Sequence, residues 1–221
     1  MPVVSIRHLT LYRYRSPVAF GEHRVMYRPL ESFDQRVLSA RLEVGPEPSL
    51  LSHVHEVSGA AVAGVRVDAR ADRLRFESEV ILDHPPRPAF DLESEHSTLG
   101  AERFAYGPDE SADLALSIAR RHPDAGEVEA WARQFVRPQG RTPLSAVLSD
   151  MTHAIREGFA YALRLDGPPQ TPTLTLARRT GTCRDFAVLM VEAARSLGLA
   201  ARFTSGYVYS GSQKAGRTGG G

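Results

Sequence analysis

Cys183 is the sole cysteine of the 221-residue chain, and it stands in the run Gly181-Thr182-Cys183-Arg184-Asp185. Gly181 and Thr182 break the chain, and an apolar stripe follows at helical spacing: Phe186, Ala187, Met190, Ala194 and Leu197. Thr182 and Asp185 have the spacing of a capping box, with Asp in the place of the usual Glu. Gly198 suits the position just past the end of that helix. Cys183 is therefore expected in the first turn of a buried helix. Unpaired N–H groups and the positive end of the helix dipole meet there, and both favour thiolate over thiol. A cysteine so placed can fall well below its free pKa of roughly 8.5. The same N–H groups can hold an oxyanion as it forms on an attacked carbonyl. Together these are two of the things that acyl transfer needs. The competing reading is a small buried hydrophobe. The polar neighbours of the thiol favour an exposed one. A redox sensor would need a resolving cysteine, and the sequence has none.

Other residues invite plainer readings. His53 and His55 point the same way on a strand and could begin a metal site. No third ligand is evident, so a surface or interface pair is the expectation. Trp131 lies on a helical stripe and is expected in the core. Arg178-Arg179 reads as a solvated loop, with substrate contact as the alternative. Asp185 reads as a helix cap, because two residues from the cysteine it cannot also orient a distant histidine. A lone cysteine excludes an internal disulfide and a cysteine-rich metal site. No acidic cluster suggests calcium. No cofactor and no metal are expected.

The elements that must position Cys183 divide the chain. Ile6–Tyr14 reads as a strand with Tyr12 and Tyr14 on one face and Leu9 and Leu11 on the other. Further strands are expected at His23–Arg28, Arg36–Val44, Leu51–Val57, Ala61–Ala69 and Leu74–Leu82. Leu38, Ala40, Leu42 and Val44 would face inward, and the fourth and fifth strands would form a hairpin around Ser58-Gly59. Short strands separated by turn signals suggest a β-sandwich-like domain over residues 1–88. Asp83–Pro88 holds three prolines and stiffens a connection. Residues 89–110 read as a linker. From Ser111 the period becomes helical. Leu114 and Ile118 mark one helix; Val128, Trp131, Ala132 and Phe135 a second; Leu144, Val147, Leu148, Met151 and Ile155 a third. Thr142 would cap the third, with Pro143 in its first turn. Arg202–Tyr209 reads as a strand, and the Gly-rich tail 211–221 as a loop. The expected class is α+β: the N-terminal β-sandwich-like domain, then the helical start of a second domain over residues 111–221.

Composition narrows the partners. With 42% hydrophobic and 24% charged residues, the chain is an ordinary globular protein. A formal net charge of +1 gives no field to recruit nucleic acid or acidic lipid. The opening MPVVSIRHLTLYRYR has no secretory pattern, and no apolar run approaches the ~20 residues that span a bilayer. A cytoplasmic location, no nucleic acid and no membrane are expected. The oligomeric state is not legible.

The run from Gly181 to Tyr207 resembles the core of bacterial transglutaminase-like proteins, a superfamily that includes animal transglutaminases and peptide N-glycanases. The family pattern falls here on Gly181, Cys183, Asp185, Arg195, Gly198, Ala201, Arg202, Gly206 and Tyr207. Phe159-Ala160-Tyr161 and Thr171-Pro172 are similar to the family's upstream elements. The N-terminal run HLTLYRYRSPVAFGEHRVMYRPL is similar to the β-rich domain that accompanies this core in bacteria.

The resemblance implies a transglutaminase-like, papain-like core. Cys183 would be its nucleophile and Thr182 and Asp185 supporting residues, with a peptide or protein as substrate. It implies for Tyr161 either contact with the oxyanion or the thiol, or packing. The family's histidine and aspartate lie after the cysteine. Here no His follows Cys183, and the only acids are Asp185 and Glu192 inside the helix itself. His153, upstream on a helix, is a poor substitute base. The expectation is a chain truncated at its C-terminal side, inactive or nearly so, from an active parent acting on peptide or Gln side-chain amides. The alternative is a non-catalytic module of the same fold that binds a protein.

Overall fold

The computed structural model describes residues 3–33, 35–57, 59–84, 98–164 and 167–207. Ser58 of the hairpin turn, the prolines at 85, 86 and 88, the end of the expected strand at 208–209 and the tail 211–221 lie outside them. The chain forms two compact units, residues 1–89 and 90–220.

The first unit is all strand. Its strands are β1 (Val3–Val18), β2 (His23–Val25), β3 (Arg36–Gly45), β4 (Leu50–His55), β5 (Ala61–Arg66) and β6 (Ala71–Asp83). They make two antiparallel three-stranded sheets, ordered β1-β6-β3 and β2-β5-β4. One apolar cluster draws on both: Ala63, Val65 and Val67 from β5 and its end, Leu74 and Phe76 from β6, with Val25, Leu42 and Val44 against them. Burying each large aliphatic side chain contributes about 1.5–3 kcal/mol. Tyr12 sits opposite Leu74 in the β1–β6 register, while Leu9 and Leu11 lie opposite Glu77 and Arg75 and are exposed.

The inward face of β3 departs from simple alternation. A bulge between Val37 and Ser39 puts two residues against one, so Val37 turns inward and Leu38 outward. The other face of the β1-β6-β3 sheet carries a charge ladder. Glu77 is paired with both Arg7 and Arg75, and Glu43 with Arg41 and Arg75. His53 Nε2 lies 3.1 Å from the Tyr27 hydroxyl across the β2-β5-β4 sheet. Among the described residues no group of three or more His, Cys, Asp or Glu could hold a metal.

The second unit is mostly helical. In chain order it contains β7 (Thr98–Leu99), α1 (Pro108–Ile118), α2 (Glu127–Arg133), β8 (Thr142–Pro143), α3 (Leu144–Gly158), β9 (Ala160–Tyr161), α4 (Pro172–Arg178), β10 (Thr180–Gly181) and α5 (Cys183–Ser196). Its core gathers Leu99, Val128, Trp131, Val147, Met151, Ile155, Leu189, Ala193 and Leu197. Residues 98–110, whose composition reads as a linker, are part of this packing. Leu99 is buried, and Phe104 lies against the core. Trp131 meets Phe135 edge-on, with ring centroids 5.1 Å apart.

Two details differ from the sequence pattern. Thr142 does not cap α3; Pro143 holds the cap position. The Thr142 hydroxyl instead accepts a hydrogen bond from the Arg137 N–H at 2.9 Å, and its backbone pairs with β7. The buried centre of α5 is Leu189, Ala193 and Leu197; Phe186 and Met190 are half-buried at its side. Residues 202–207 form no strand, since none of the described strands runs beside them.

The end of α5 is fixed by Gly198, at φ +90°. A Cβ there would lie 2.4 Å from the Phe104 carbonyl oxygen and 2.9 Å from its nitrogen, because the Phe104 N–H donates to the Leu197 carbonyl at 2.8 Å. Gly198→Ala therefore meets both a left-handed backbone and a backbone clash. It is expected to cost about 2–4 kcal/mol. Urea unfolding followed by the fluorescence of Trp131, the sole tryptophan and a core residue of this unit, measures that loss. An unchanged midpoint would show that the segment around Phe104 moves aside freely.

Candidate active site

The segment that delivers Cys183 is held from both sides. α4 begins at Thr171, whose Oγ1 accepts from the Leu174 N–H at 3.3 Å, with Pro172 in the first turn. The helix ends on Arg179, at φ +52°. Arg179 is exposed just past α4, and its guanidinium also lies 4.9 Å over the Phe159 ring, a cation–π contact. Phe159 in turn packs edge-on against Trp131 and Phe186. Arg178 places a guanidinium nitrogen 3.4 Å from Gln170 Oε1.

The chain then runs as β10, parallel to β9. The Ala160 N–H donates to the Arg179 carbonyl at 2.8 Å, and the Ala162 N–H to that of Gly181 at 2.9 Å. Tyr161 stands opposite Gly181 in this register, two residues before Cys183, with its side chain 62% exposed. The structure thus brings Tyr161 beside the approach to the cysteine.

α5 starts on Cys183, behind its N-cap Thr182. The thiol is free and exposed, not sealed among aliphatic side chains. The first N–H groups of a helix have no intrahelical partner, and those of Cys183 and Arg184 find none among the described residues.

Asp185, fully buried, organises the turn. Its Oδ2 accepts from the Thr182 N–H at 2.7 Å, the Thr182 hydroxyl at 3.0 Å and Gln170 Nε2 at 3.2 Å. Its Oδ1 accepts from the Gln170 N–H at 2.6 Å and from Arg164 Nη2 at 2.8 Å. Burial alone would raise its pKa. The hydrogen bonds from Thr182 and Gln170 outweigh that and hold it at about 2. Gly181 has to be a glycine for this packing: a Cβ would sit 2.9 Å from that of Asp185 and 3.2 Å from Gln170 Nε2.

The capping box of Thr182 and Asp185 is present as its spacing implies. Arg164 and Gln170 were not singled out by the sequence. Neither has a motif spacing to Asp185, from which they stand 21 and 15 residues away. His153 is exposed on α3.

An all-strand N-terminal unit, followed by a helical unit that presents an exposed cysteine at the first residue of α5, defines an α+β protein. Residues 4–83 match the bacterial transglutaminase-like N-terminal region and residues 129–219 the transglutaminase-like superfamily, and the chain belongs to that superfamily.

Uncharacterized proteins of Mycobacterium tuberculosis and Mycobacterium bovis are 28% identical to it over 209 residues, covering 92% of this chain. The chain spans 65% of the length of these relatives. A solved structure from Cytophaga hutchinsonii, named a "Putative Cysteine Protease", shares the fold with a TM-score of 0.64 at 16% identity. The match covers 88% of this chain and 63% of that one. No helix among the described residues is long and apolar enough to cross a membrane.

Proposed function

We propose that Cys183 is the nucleophile of an acyl transfer or hydrolysis at peptide or Gln side-chain amides. The observation that supports this most is an exposed thiol on the first residue of a buried helix, with unpartnered N–H groups beside it. In the first step the Cys183 sulfur bonds to the amide carbonyl carbon, and the tetrahedral oxyanion takes hydrogen bonds from the N–H groups of Cys183 and Arg184. The C–N bond then breaks, and the leaving nitrogen carries off the proton that the thiol gave up. Water or an amine resolves the thioester. Tyr161, opposite Gly181, flanks the entering chain. Thr182 and Asp185 hold the turn.

The sequence supplies no histidine after Cys183. Repeated turnover by residues 1–221 alone is therefore expected to stay near background. That same absence favours, as a second reading, a non-catalytic module that binds a protein.

Labelling separates the two. A Gln-containing peptide halomethyl ketone is expected to alkylate Cys183 with saturation kinetics, protected by the parent peptide, with no labelling of Cys183→Ala. Labelling linear in concentration, no faster than that by a small haloacetamide, would argue against an acyl-donor site.

A further inference from the structure

We infer that Arg164 and Gln170 are positioning residues for Cys183: both brace Asp185 from outside its helix, and Arg164 also neutralises its charge. This rests on the reading of Cys183 as nucleophile and adds to it the device that makes the position usable. The difficulty is electrostatic. Asp185 anchors the turn by accepting from the Thr182 N–H, the donor immediately before Cys183. A carboxylate two residues from the sulfur also opposes the thiolate. A helix start that kept the anchor without the counter-charge would lose part of what the free N–H groups provide.

The segment between β9 and α4 resolves this. Arg164 is half-buried and donates to Asp185 Oδ1 at 2.8 Å, while its other terminal nitrogen donates to the Pro168 carbonyl at 2.7 Å. One guanidinium thus binds both the Pro168 carbonyl and the carboxylate. Gln170 adds two bonds to Asp185, through its N–H and Nε2, and a third from Nε2 to the Thr180 carbonyl at 3.1 Å. It ties β10, the cap and α5 to one side chain. Both residues touch Asp185 and neither reaches the reacting atoms, so their effect passes through the cap.

Other charges near the start of α5 are occupied or face outward. Arg184 is exposed in its first turn, Arg178 reaches Gln170, and Arg179 covers Phe159. On α2, Glu129 pairs with Arg103 and Arg133. The charged residues of α3 are exposed. Tyr161 is the titratable group of β9. Arg164 is the cation paired with Asp185.

The test is the pH profile of Cys183 alkylation by iodoacetamide on the full chain, whose single thiol gives no background. Arg164→Ala is expected to move the profile to higher pH and slow labelling at pH 7 about threefold to tenfold. Arg164→Lys, which keeps the charge, is expected to restore most of the rate. Gln170→Ala is expected to slow labelling with a smaller movement of the profile. Arg133→Ala, which removes carbonyl contacts at residues 100–102 elsewhere in the unit, is the stability control and should leave the profile in place.

A profile unmoved in Arg164→Ala, or moved equally in Arg164→Lys and Arg133→Ala, overturns the inference. The nucleophile reading fails separately, by absent saturation with the peptide reagent, whatever Arg164 does to the profile.

Discussion

Asp185→Ala is expected to destabilise the second unit by about 3–5 kcal/mol. The estimate comes from counting what loses its acceptor. The Thr182 and Gln170 N–H groups and two side-chain donors all converge on one buried carboxylate. Each buried donor left unsatisfied costs about 1–3 kcal/mol. Arg164 is discounted because it is half-exposed and can turn to water. Asp185→Asn is no rescue, since one of its two terminal atoms becomes a donor facing donors.

The carboxyl also gives a pH signature. It is held at about 2, below its ordinary 3.8, in the folded state. It therefore contributes stability that is present above pH 4 and lost as pH falls through 2. The contribution is about 2 kcal/mol. Urea midpoints read by Trp131 fluorescence should fall between pH 4 and 2 in the parent chain. In Asp185→Ala that part of the fall should be missing. A variant as stable as the parent, with the same acid profile, would remove Asp185 from its place as anchor.

Glu192→Ala is expected to cost a similar 3–5 kcal/mol, at the other end of the same helix. Glu192 is buried and accepts from the N–H groups of Arg121 and His122 and from Arg195 Nη1 at 2.9 Å. Arg195 is itself only 6% exposed and also donates to the carbonyls of Ser117 and Ala201. Removing one partner of a buried pair strands the other charge. Adding an apolar replacement of Arg195 should not restore stability, because two carbonyls would then lose their donor. Unfolding at neutral pH decides it. A loss under 1 kcal/mol would mean that water enters and solvates Arg195.

These two carboxylates show where sequence reading stops. Thr182, Cys183 and Asp185 were legible because a capping box is local: its spacing is its geometry. Their external partners were not, because Arg164 and Gln170 stand 21 and 15 residues from Asp185 with no local spacing to mark the contact. The alternation of β1, β3 and β6 exposed the strand-rich unit. Leu38 was misplaced because a bulge leaves no mark in a period-two pattern. α4 shows no helical period although Thr171-Pro172 is a start signal, because Leu174 and Leu176 alternate with Thr173 and Thr175 in a period of two. The stripe of α5 holds at Ala194 and Leu197, while Leu189 and Ala193 are buried where Phe186 and Met190 are only half-buried. Packing surrounds that helix so fully that Asp185, Glu192, Arg195 and Ser196 are buried as well, and a search for apolar residues alone passes over them.

The nucleophile itself is most directly tested by acylation of the single thiol. The chain is mixed with an activated ester at pH 7 and followed by intact mass, folded and in urea. One acyl group per chain is expected, located at Cys183, released by hydroxylamine, and formed about tenfold faster in the folded chain than in the unfolded one. Equal rates in the two states, or acyl groups distributed over other residues and retained in Cys183→Ala, would contradict the account.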